Sequence, residues 1–199
     1  MSSPHPEPVS RRERNKQDKL ARITAAAREL FLERGVDDVT TQEIAEKADI
    51  GTGTLFLYAK TKGELLLLVQ NSTYRDALAR GRVDAAGIED TLGAVMAVVR
   101  PVVECNRKQV DNGRTYLREI VFGDPQEPHH AVALGLIAET EGEIASILSR
   151  DNAVEPDTAA LTAHVVSAIM FVAMAATINV DKTVDDVVAE IEAQVRVSV

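Results

Sequence analysis

Residues 40–65 read TTQEIAEKADIGTGTLFLYAKTKGEL. Thr40 or Thr41 is expected to cap a short helix, because a side-chain hydroxyl can accept a hydrogen bond from the free backbone N–H groups of the first turn. A tight turn is predicted at residues 49–51, and a second short helix at residues 52–58. Two short helices joined by a tight turn predict a helix-turn-helix.

The second short helix begins with small residues, Gly51-Thr52-Gly53-Thr54. Small side chains let a backbone approach base edges or phosphates closely, and a Thr methyl can touch a thymine methyl. Lys62 follows at the start of the next helix, where its charge and the helix N-terminus both suit a phosphate. A plain helical hairpin with a capped turn has the same periodicity, so these residues alone leave both interpretations open.

A family resemblance separates the two interpretations. Residues 40–50 and 53–65 resemble the DNA-binding domain of the TetR (tetracycline repressor) family, and the resemblance covers about residues 20–68. It implies a homodimeric transcriptional regulator, most often a repressor, that binds a palindromic double-stranded DNA operator and responds to a small molecule. By position it implies base-proximal roles for Gln42, Thr52, Gly53 and Thr54, and phosphate contacts by Thr41, Tyr58 and Lys62.

Three positions depart from the family pattern. Asp49 stands where the family usually has Gly, and Asp tolerates the left-handed backbone of a tight turn. Phe56 replaces a Tyr whose hydroxyl often binds phosphate, and Ala59 replaces a Phe that packs the domain on the next helix. These departures keep an alternative open, namely a helical small-molecule-binding protein or enzyme whose DNA-binding domain is degenerate.

The remainder of the chain predicts further helices. Apolar residues keep helical spacing almost to the C-terminus, and no segment has a convincing strand period. We therefore expect an all-α fold of about nine helices. Residues 1–18 are predicted to be a flexible basic arm, residues 19–62 the helix-turn-helix domain, and residues 63–199 an effector-binding and dimerisation domain.

The net charge of −9 argues against DNA binding only if it is taken as an average. Residues 63–199 carry 11 basic and 21 acidic side chains, whereas residues 1–62 carry 11 and 10. Residues 1–28 alone carry 7 basic and 3 acidic side chains, a net charge of +4. The negative charge thus belongs to the predicted effector domain, and the predicted DNA-binding end is free to approach phosphates.

No signature of a catalytic, metal or cofactor site stands out. The single cysteine, Cys105, excludes an intramolecular disulfide framework and a multi-cysteine zinc site, and fits a reducing cytoplasm. One E-x-x-H pattern, Glu127 to His130, is interrupted by a proline, and a di-metal bundle needs two such motifs. We therefore expect a DNA-binding protein rather than an enzyme.

A membrane location is not expected either. The N-terminus lacks the apolar core of a signal peptide. The longest apolar stretch, Ala163 to Val180, is Ala-rich and is interrupted by polar residues. A membrane span needs roughly 20 strongly apolar residues, so this stretch is predicted to be too weak.

An effector pocket is predicted between the helices of the larger domain. The low aromatic content and the many Val, Leu and Ala residues favour an apolar or amphipathic effector. Polar contacts are expected from Cys105, Arg118 and Glu119. The candidate lining residues are Val99, Val103, Tyr116, Ile120, Phe122 and Leu134.

A dimer interface is predicted on the last two helices. The helix near residues 157–180 is apolar nearly all round its middle, so more than one of its faces must be covered. The amphipathic last helix stands beside it, and the resemblance implies that the two helices form a four-helix bundle with a second copy. The candidate interface residues are Val165, Ile169, Phe171, Val172, Met174, Val188 and Ile191.

Overall fold

All regular structure is helical in residues 10–150 and 154–198, the part of the chain that the computed structural model describes. In that part the predicted all-α class with about nine helices is confirmed. A 3-10 turn at Thr177–Asn179 follows the eighth helix. The helices are α1 Arg11–Arg34, α2 Thr41–Lys47, α3 Thr52–Leu55, α4 Lys62–Ala85, α5 Thr91–Asn106, α6 Val110–Phe122, α7 Pro128–Leu148, α8 Pro156–Ala175 and α9 Val184–Val195.

Helices α1 to α3, residues 11–55, form the head of the molecule. The N-cap of α2 is Thr40, which forms a capping box with Glu43. Gly35 ends α1 with a φ of 82°, a left-handed value that favours glycine. Leu55 is fully buried, as expected for the core anchor of α3. The head therefore has the predicted helix-turn-helix, with α1 as its brace.

The start of α1 corrects one prediction. Residues 11–18, assigned to a flexible arm, are helical, and residues 1–9 lie outside the described part of the chain. Ser10 caps the helix by accepting a hydrogen bond from the backbone N–H of Glu13 at 3.2 Å. Arg, Lys, Gln and Glu dominate this segment, and these residues have high helix propensity despite their polarity.

Two other helices are shorter than predicted. α3 ends at Leu55 rather than at Tyr58, and the chain continues in turns. α8 ends at Ala175 rather than near Val180, because side chains bind carbonyl groups of its last turn. Asn179 Nδ2 donates to the carbonyl of Ala173 at 2.9 Å, and Arg114 Nε donates to that of Ala175 at 3.2 Å. These contacts replace the backbone hydrogen bonds that a longer helix would supply.

Helices α4 to α9, residues 62–195, form the body. α4 and α5 pack with their backbones close together, because Gly81 of α4 leaves room for α5. A Cβ added at Gly81 would lie 2.9 Å from Cα of Val98. α9 packs against both α5 and α8. Buried Arg107 stabilises the α8–α9 connection by donating to the carbonyls of Asn179 and Lys182, at 2.8 and 2.7 Å.

Helix α8 is more apolar than the sequence analysis allowed. Its mean hydropathy reaches 1.8 over 18 residues, so by length and composition alone it is able to cross a membrane. One third of that window is buried within the chain. α8 packs against α6, α7 and α9, as a core helix of a globular fold does, and much of its remaining apolar surface faces outward.

Candidate nucleic-acid interface

A side chain of α1 forms hydrogen bonds to the turn between α2 and α3. Asp49 has a φ of 53°, the left-handed conformation expected for this position. Arg22 Nη1 donates to Asp49 Oδ2 at 3.3 Å and to the carbonyl of the same residue at 3.5 Å. The turn therefore orients α3 with respect to α1, and the Gly that the family usually places here is not required.

The exposed face of α3 is open at its small residues. Thr52 and Thr54 are half-buried, whereas Gly51 and Gly53 are exposed. A Cβ added at either glycine would meet no atom within 4 Å. Packing within the chain thus does not require glycine at either position, and the backbone of α3 is accessible to a large partner from outside.

The N-terminal half of α1 lies beside this face and is strongly basic. An open cleft of about 970 Å³ separates the two elements. The ion pairs of the described α1 residues lie further along the helix, at Glu29, Arg22 and Arg34. The cations of the first two turns are exposed and free to bind anions. The cleft is lined by Arg11, Arg12, Glu13, Asn15, Lys16 and Lys19 from α1, and by Thr54, Leu57 and Tyr58.

Of these α1 residues, those up to position 18 were expected in a flexible arm, and Lys19 was expected at the start of the helix-turn-helix domain. Their placement on one helix next to α3 was missed, although a signal was present. Arg12, Lys16 and Lys19 are spaced four and three residues apart, which puts them on one face of a helix that continues into the apolar pattern beginning at Leu20.

Two of the predicted phosphate contacts are engaged within the chain. Lys62 Nζ donates to the carbonyl groups of Val36 and Asp37, at 2.9 and 3.0 Å. The hydroxyl of Tyr58 donates to the carbonyl of Lys16 at 3.5 Å. This contact ties the end of residues 52–58, the reading segment, to α1. Both side chains fix the position of the head's elements in this structure.

The remaining predicted contacts lie on α2. Thr41 is half-buried at the start of the helix, and Gln42 is exposed. The Gln42 amide donates to Glu46 Oε1 at 2.9 Å, so its nitrogen is already occupied by a neighbour one turn away. Thr41, Gln42 and the α3 residues share the head, while Lys62 lies at the boundary with the body.

The carboxylate of Glu43 stabilises the start of α2 through hydrogen bonds and an ion pair. Its Oε2 accepts hydrogen bonds from the backbone N–H and the hydroxyl of Thr40, both at 2.8 Å, and its Oε1 accepts one from Arg34 at 2.9 Å. The backbone hydrogen bond from Thr40, followed by the Arg34 guanidinium, lowers the pKa of this carboxyl from 4.5 to about 2. The carboxylate thus stabilises the N-terminus of α2 as an anion.

The sequence of the head matches a known family. The model of the family described as "Bacterial regulatory proteins, tetR family" matches residues 23–69. In these residues the protein is TetR-like. The match begins in α1 and ends in the first turns of α4, so it includes the helix-turn-helix and its brace.

Solved structures share the fold of the chain along nearly its whole length. A TetR transcriptional regulator from Rhodococcus sp. RHA1 is 14% identical, with a TM-score of 0.72 over 93% of this chain and 97% of that one. Thermus thermophilus FadR, a TetR family transcriptional repressor in complex with lauroyl-CoA, is 22% identical, with a TM-score of 0.71 over 90% and 92%. A tetR family regulatory protein from Rhodococcus RHA1 is 21% identical, with a TM-score of 0.60 over 89% and 95%.

A search of curated proteins finds no match to this sequence.

Two of the three departures from the family pattern, Phe56 and Ala59, follow the end of α3. Phe56 is partly exposed, and the small Ala59 is buried. Ala59 thus still packs under the reading segment, where the family has a larger side chain.

The predicted pocket residues fall into two groups. Val99, Val103, Tyr116 and Ile120 are buried in the body, whereas Phe122 is 82% exposed and Leu134 is 44% exposed. The structure does not bring Phe122 and Leu134 to the buried group, because both lie on outward faces of their helices. Helical period alone does not reveal which apolar side chains a neighbouring helix will cover.

A buried polar cluster does occupy the body. The hydroxyl of Tyr116 donates to Asn71 Oδ1 at 2.8 Å, and that of Tyr74 lies 2.9 Å from Thr140 Oγ1. A cavity of about 10 Å³, roughly the space of one water, lies beside Tyr74, Tyr116 and Cys105. Burial raises the pKa of the Cys105 thiol to about 12, so this side chain is a neutral thiol near pH 7. Of the other predicted polar contacts, Arg118 is exposed and Glu119 half-buried.

The predicted interface residues also divide into an exposed or half-buried group and a buried group. Val165 and Val172 are exposed on α8, and Ile169 and Phe171 are half-buried. Met174, Val188 and Ile191 are buried within the chain itself, because α9 turns its apolar face toward α5 and α8. The exposed apolar surface of these two helices therefore lies on α8 rather than on α9.

Proposed function

We propose that this TetR-like regulator is a homodimeric cytoplasmic repressor, which binds a palindromic operator and is released by a small amphipathic effector. Residues 19–62 and the basic start of α1 bind the DNA, and residues 63–199 bind the effector and the second copy. The observation that carries the DNA-binding part is the basic cleft between α1 and α3.

The cleft supports DNA binding through charge and shape together. Arg11, Arg12, Lys16 and Lys19 place positive charge along one side of the small, open face of α3. In helix-turn-helix proteins the second helix enters the major groove, and cations beside it contact the phosphates. We expect Thr52, Gly53 and Thr54 to approach the base edges while the α1 cations follow the backbone.

The salt dependence of DNA binding tests this arrangement. DNA fragments selected from the genome by the wild-type protein serve as operators. The double variant Lys16→Gln, Lys19→Gln is expected to bind them more weakly and to lower the salt slope by about 0.9 per lost phosphate contact. The matched variant Lys108→Gln, Arg118→Gln removes two exposed charges from the body and should leave the slope unchanged. Equal slopes in all three proteins would refute the role of α1.

Dimerisation is supported by the exposed apolar stripe of α8. Leu161, Val165 and Val172 are 70%, 46% and 66% exposed and lie on one side of the helix. Contiguous apolar surface of this kind marks an interaction site. A two-fold dimer would present two heads, and a spacing of about 34–36 Å would match successive major grooves of a palindrome.

An amphipathic effector is supported by the lining of the body and by one relative. The structure of Thermus thermophilus FadR contains lauroyl-CoA, a long-chain acyl ligand. The body of the present protein has Val, Leu and Ala walls around a few buried polar groups, which suits a ligand with an apolar chain. Titration of the protein–operator complex with dodecanoate or with lauroyl-CoA, which share one apolar chain, is expected to release the DNA with at least one of them, whereas coenzyme A alone should not. Persistence of the complex with dodecanoate and with lauroyl-CoA would refute an effector with an acyl chain.

A further inference from the structure

A groove of about 540 Å³ lies where the head meets the body, between α1, α4 and the start of α7. Its volume lies within the range of roughly 300–1,000 Å³ that is usual for small-molecule sites. The described walls include no acidic side chain, in a chain whose net charge is −9. Its apolar wall consists of Leu20, Ala21, Ala25, Leu68 and Val132.

Two arginines border this groove. Arg28 of α1 donates to Ser72 Oγ at 3.3 Å, and its buried Nε has no hydrogen-bond partner within the described residues. Arg75 of α4 is exposed beside it, three residues beyond Ser72. Neither guanidinium forms an ion pair with a carboxylate in residues 10–150 and 154–198, although other arginines of the head and body do. Buried donors are normally satisfied, so Arg28 has an unmet demand for an acceptor.

We propose that the effector binds in this groove, where α1 completes the site formed by α4 and α7 of residues 63–199, and that the effector is a carboxylate with an aliphatic chain. The guanidinium groups of Arg28 and Arg75 hold the carboxylate, since their planar forks match its two oxygens. The aliphatic chain lies on Leu20, Ala25 and Leu68. The assignment of this ligand as the effector rests on the proposed function, whereas its binding can be measured without DNA.

The position of the groove links an occupant to the reading segment. His129 lines the groove, and its Nε2 lies 3.1 Å from the carbonyl oxygen of Tyr58, directly after α3. The Tyr58 hydroxyl in turn donates to the carbonyl of Lys16 on α1. A chain inserted between α1 and α7 thus acts on the two elements that hold α3, and binding is expected to change operator affinity.

Calorimetry with decanoate tests the site directly. The full-length protein is expected to bind decanoate saturably, below its micellar concentration, and at least about tenfold more tightly than decanol of equal chain length. Decyltrimethylammonium should not bind, because its charge has the wrong sign. Binding of all three compounds with equal affinity would overturn the role of the arginines.

Substitutions then locate the ligand. Arg28→Gln and Arg75→Gln should each weaken decanoate binding by about tenfold, whereas Arg80→Gln removes the same charge from α4 outside the groove and should not. Ala25→Trp fills the groove from an exposed position and should abolish binding, and Ala138→Trp on the exposed surface of α7 is its control. The proposal would be overturned if Ala25→Trp bound decanoate as the wild type does. It would also be overturned if the wild type did not bind decanoate.

Failure of the site and failure of the proposed function give different results. If the wild type binds operator DNA and decanoate has no effect on that complex, the groove is not the effector site, while DNA binding stands. If the wild type binds no DNA fragment, the proposed function fails, and calorimetry still decides whether the groove takes a carboxylate.

Discussion

Asn112 of α6 holds the end of α1 through the main chain of Val36. Its Oδ1 accepts a hydrogen bond from the Val36 N–H at 2.7 Å, and its Nδ2 donates to the carbonyl of Phe31 at 2.7 Å. The amide is buried, and it lies directly beside Gly35, where the chain leaves α1. One side chain of the body therefore satisfies a donor and an acceptor of the head.

Replacement of Asn112 by Ala is expected to lower the free energy of unfolding by about 2 kcal/mol. The Val36 N–H would remain buried without its partner, and an unsatisfied buried group costs roughly 1–3 kcal/mol. Urea unfolding followed by circular dichroism, at one protein concentration, measures the change. Asn15→Ala on the exposed surface of α1 is the control, and equal effects of the two substitutions would contradict the prediction.

The left-handed turn at Asp49 predicts a ranking of substitutions. Asp49→Gly should keep or raise the stability, because glycine adopts a φ of 53° without strain. Asp49→Val should cost about 1–2 kcal/mol, since a branched side chain is strained there. Thermal unfolding gives the ranking. Arg22→Gln removes the exposed ion pair and the long hydrogen bond to the Asp49 carbonyl, and is expected to change stability by less than about 1 kcal/mol. A Val variant as stable as the Gly variant would show that the turn does not depend on this conformation.

The pKa of Glu43 predicts a loss of stability in acid. Because the folded-state pKa, about 2, is below the usual 4.5, the stabilisation is complete above about pH 4.5 and is lost as the pH falls toward 2. The Glu43→Gln variant lacks this titration, so the difference in unfolding free energy between it and the wild type should shrink across that interval. Glu33→Gln, which changes an exposed carboxylate of α1 outside the capping box, is the control variant. A constant difference for Glu43→Gln would contradict the assignment.

The open space at Gly53 separates stability from DNA binding. Gly53→Leu should not destabilise the protein, since a Cβ there meets no atom within 4 Å and leucine has the higher helix propensity. It should nevertheless reduce affinity for the selected DNA fragments by at least about tenfold, because its side chain would fill the space needed for close approach. Gly135→Leu on α7 is a matched control with the same free space. If both variants bind DNA like the wild type, the face of α3 does not approach the bases closely.

The exposed stripe of α8 predicts the oligomeric state. Val172→Glu places a charge in the proposed interface and should convert a dimer to a monomer, since an unpaired buried charge is costly. Val83→Glu on α4, where the side chain is 75% exposed, should leave the dimer intact. Size-exclusion chromatography with light scattering measures the mass of each. A wild-type monomer, or a dimeric Val172→Glu protein, would refute the α8 interface.

The features of the head that sequence predicts well are those encoded by neighbours along the chain. The Thr40 cap, the Gly35 stop and the left-handed Asp49 each depend on the conformational preference of one residue and its nearest neighbours. The helical start of α1 was not predicted because its charged residues show no apolar period, although they are good helix formers. A Ser at position 10 before this run was the available cap signal.

In the body, the periodicity of the sequence does not predict which helices cover one another. The period of α9 correctly marks Val188 and Ile191 as one apolar face, but it carries no information about which helix covers that face. The same holds for Phe122, whose apolar side chain remains outside at the end of α6. The groove at Arg28 and Arg75 is likewise formed by three helices that are distant in sequence, so only their packing brings the two arginines together.

The close approach at Gly81 limits how the molecule can change shape. With α5 only a van der Waals distance from the α4 backbone, sliding or rolling between the two helices would bring side chains into the space that Gly81 keeps clear. The two helices are therefore expected to move as one rigid unit. A signal from the body would then reach α3 as a tilt of this unit rather than as a rearrangement inside it.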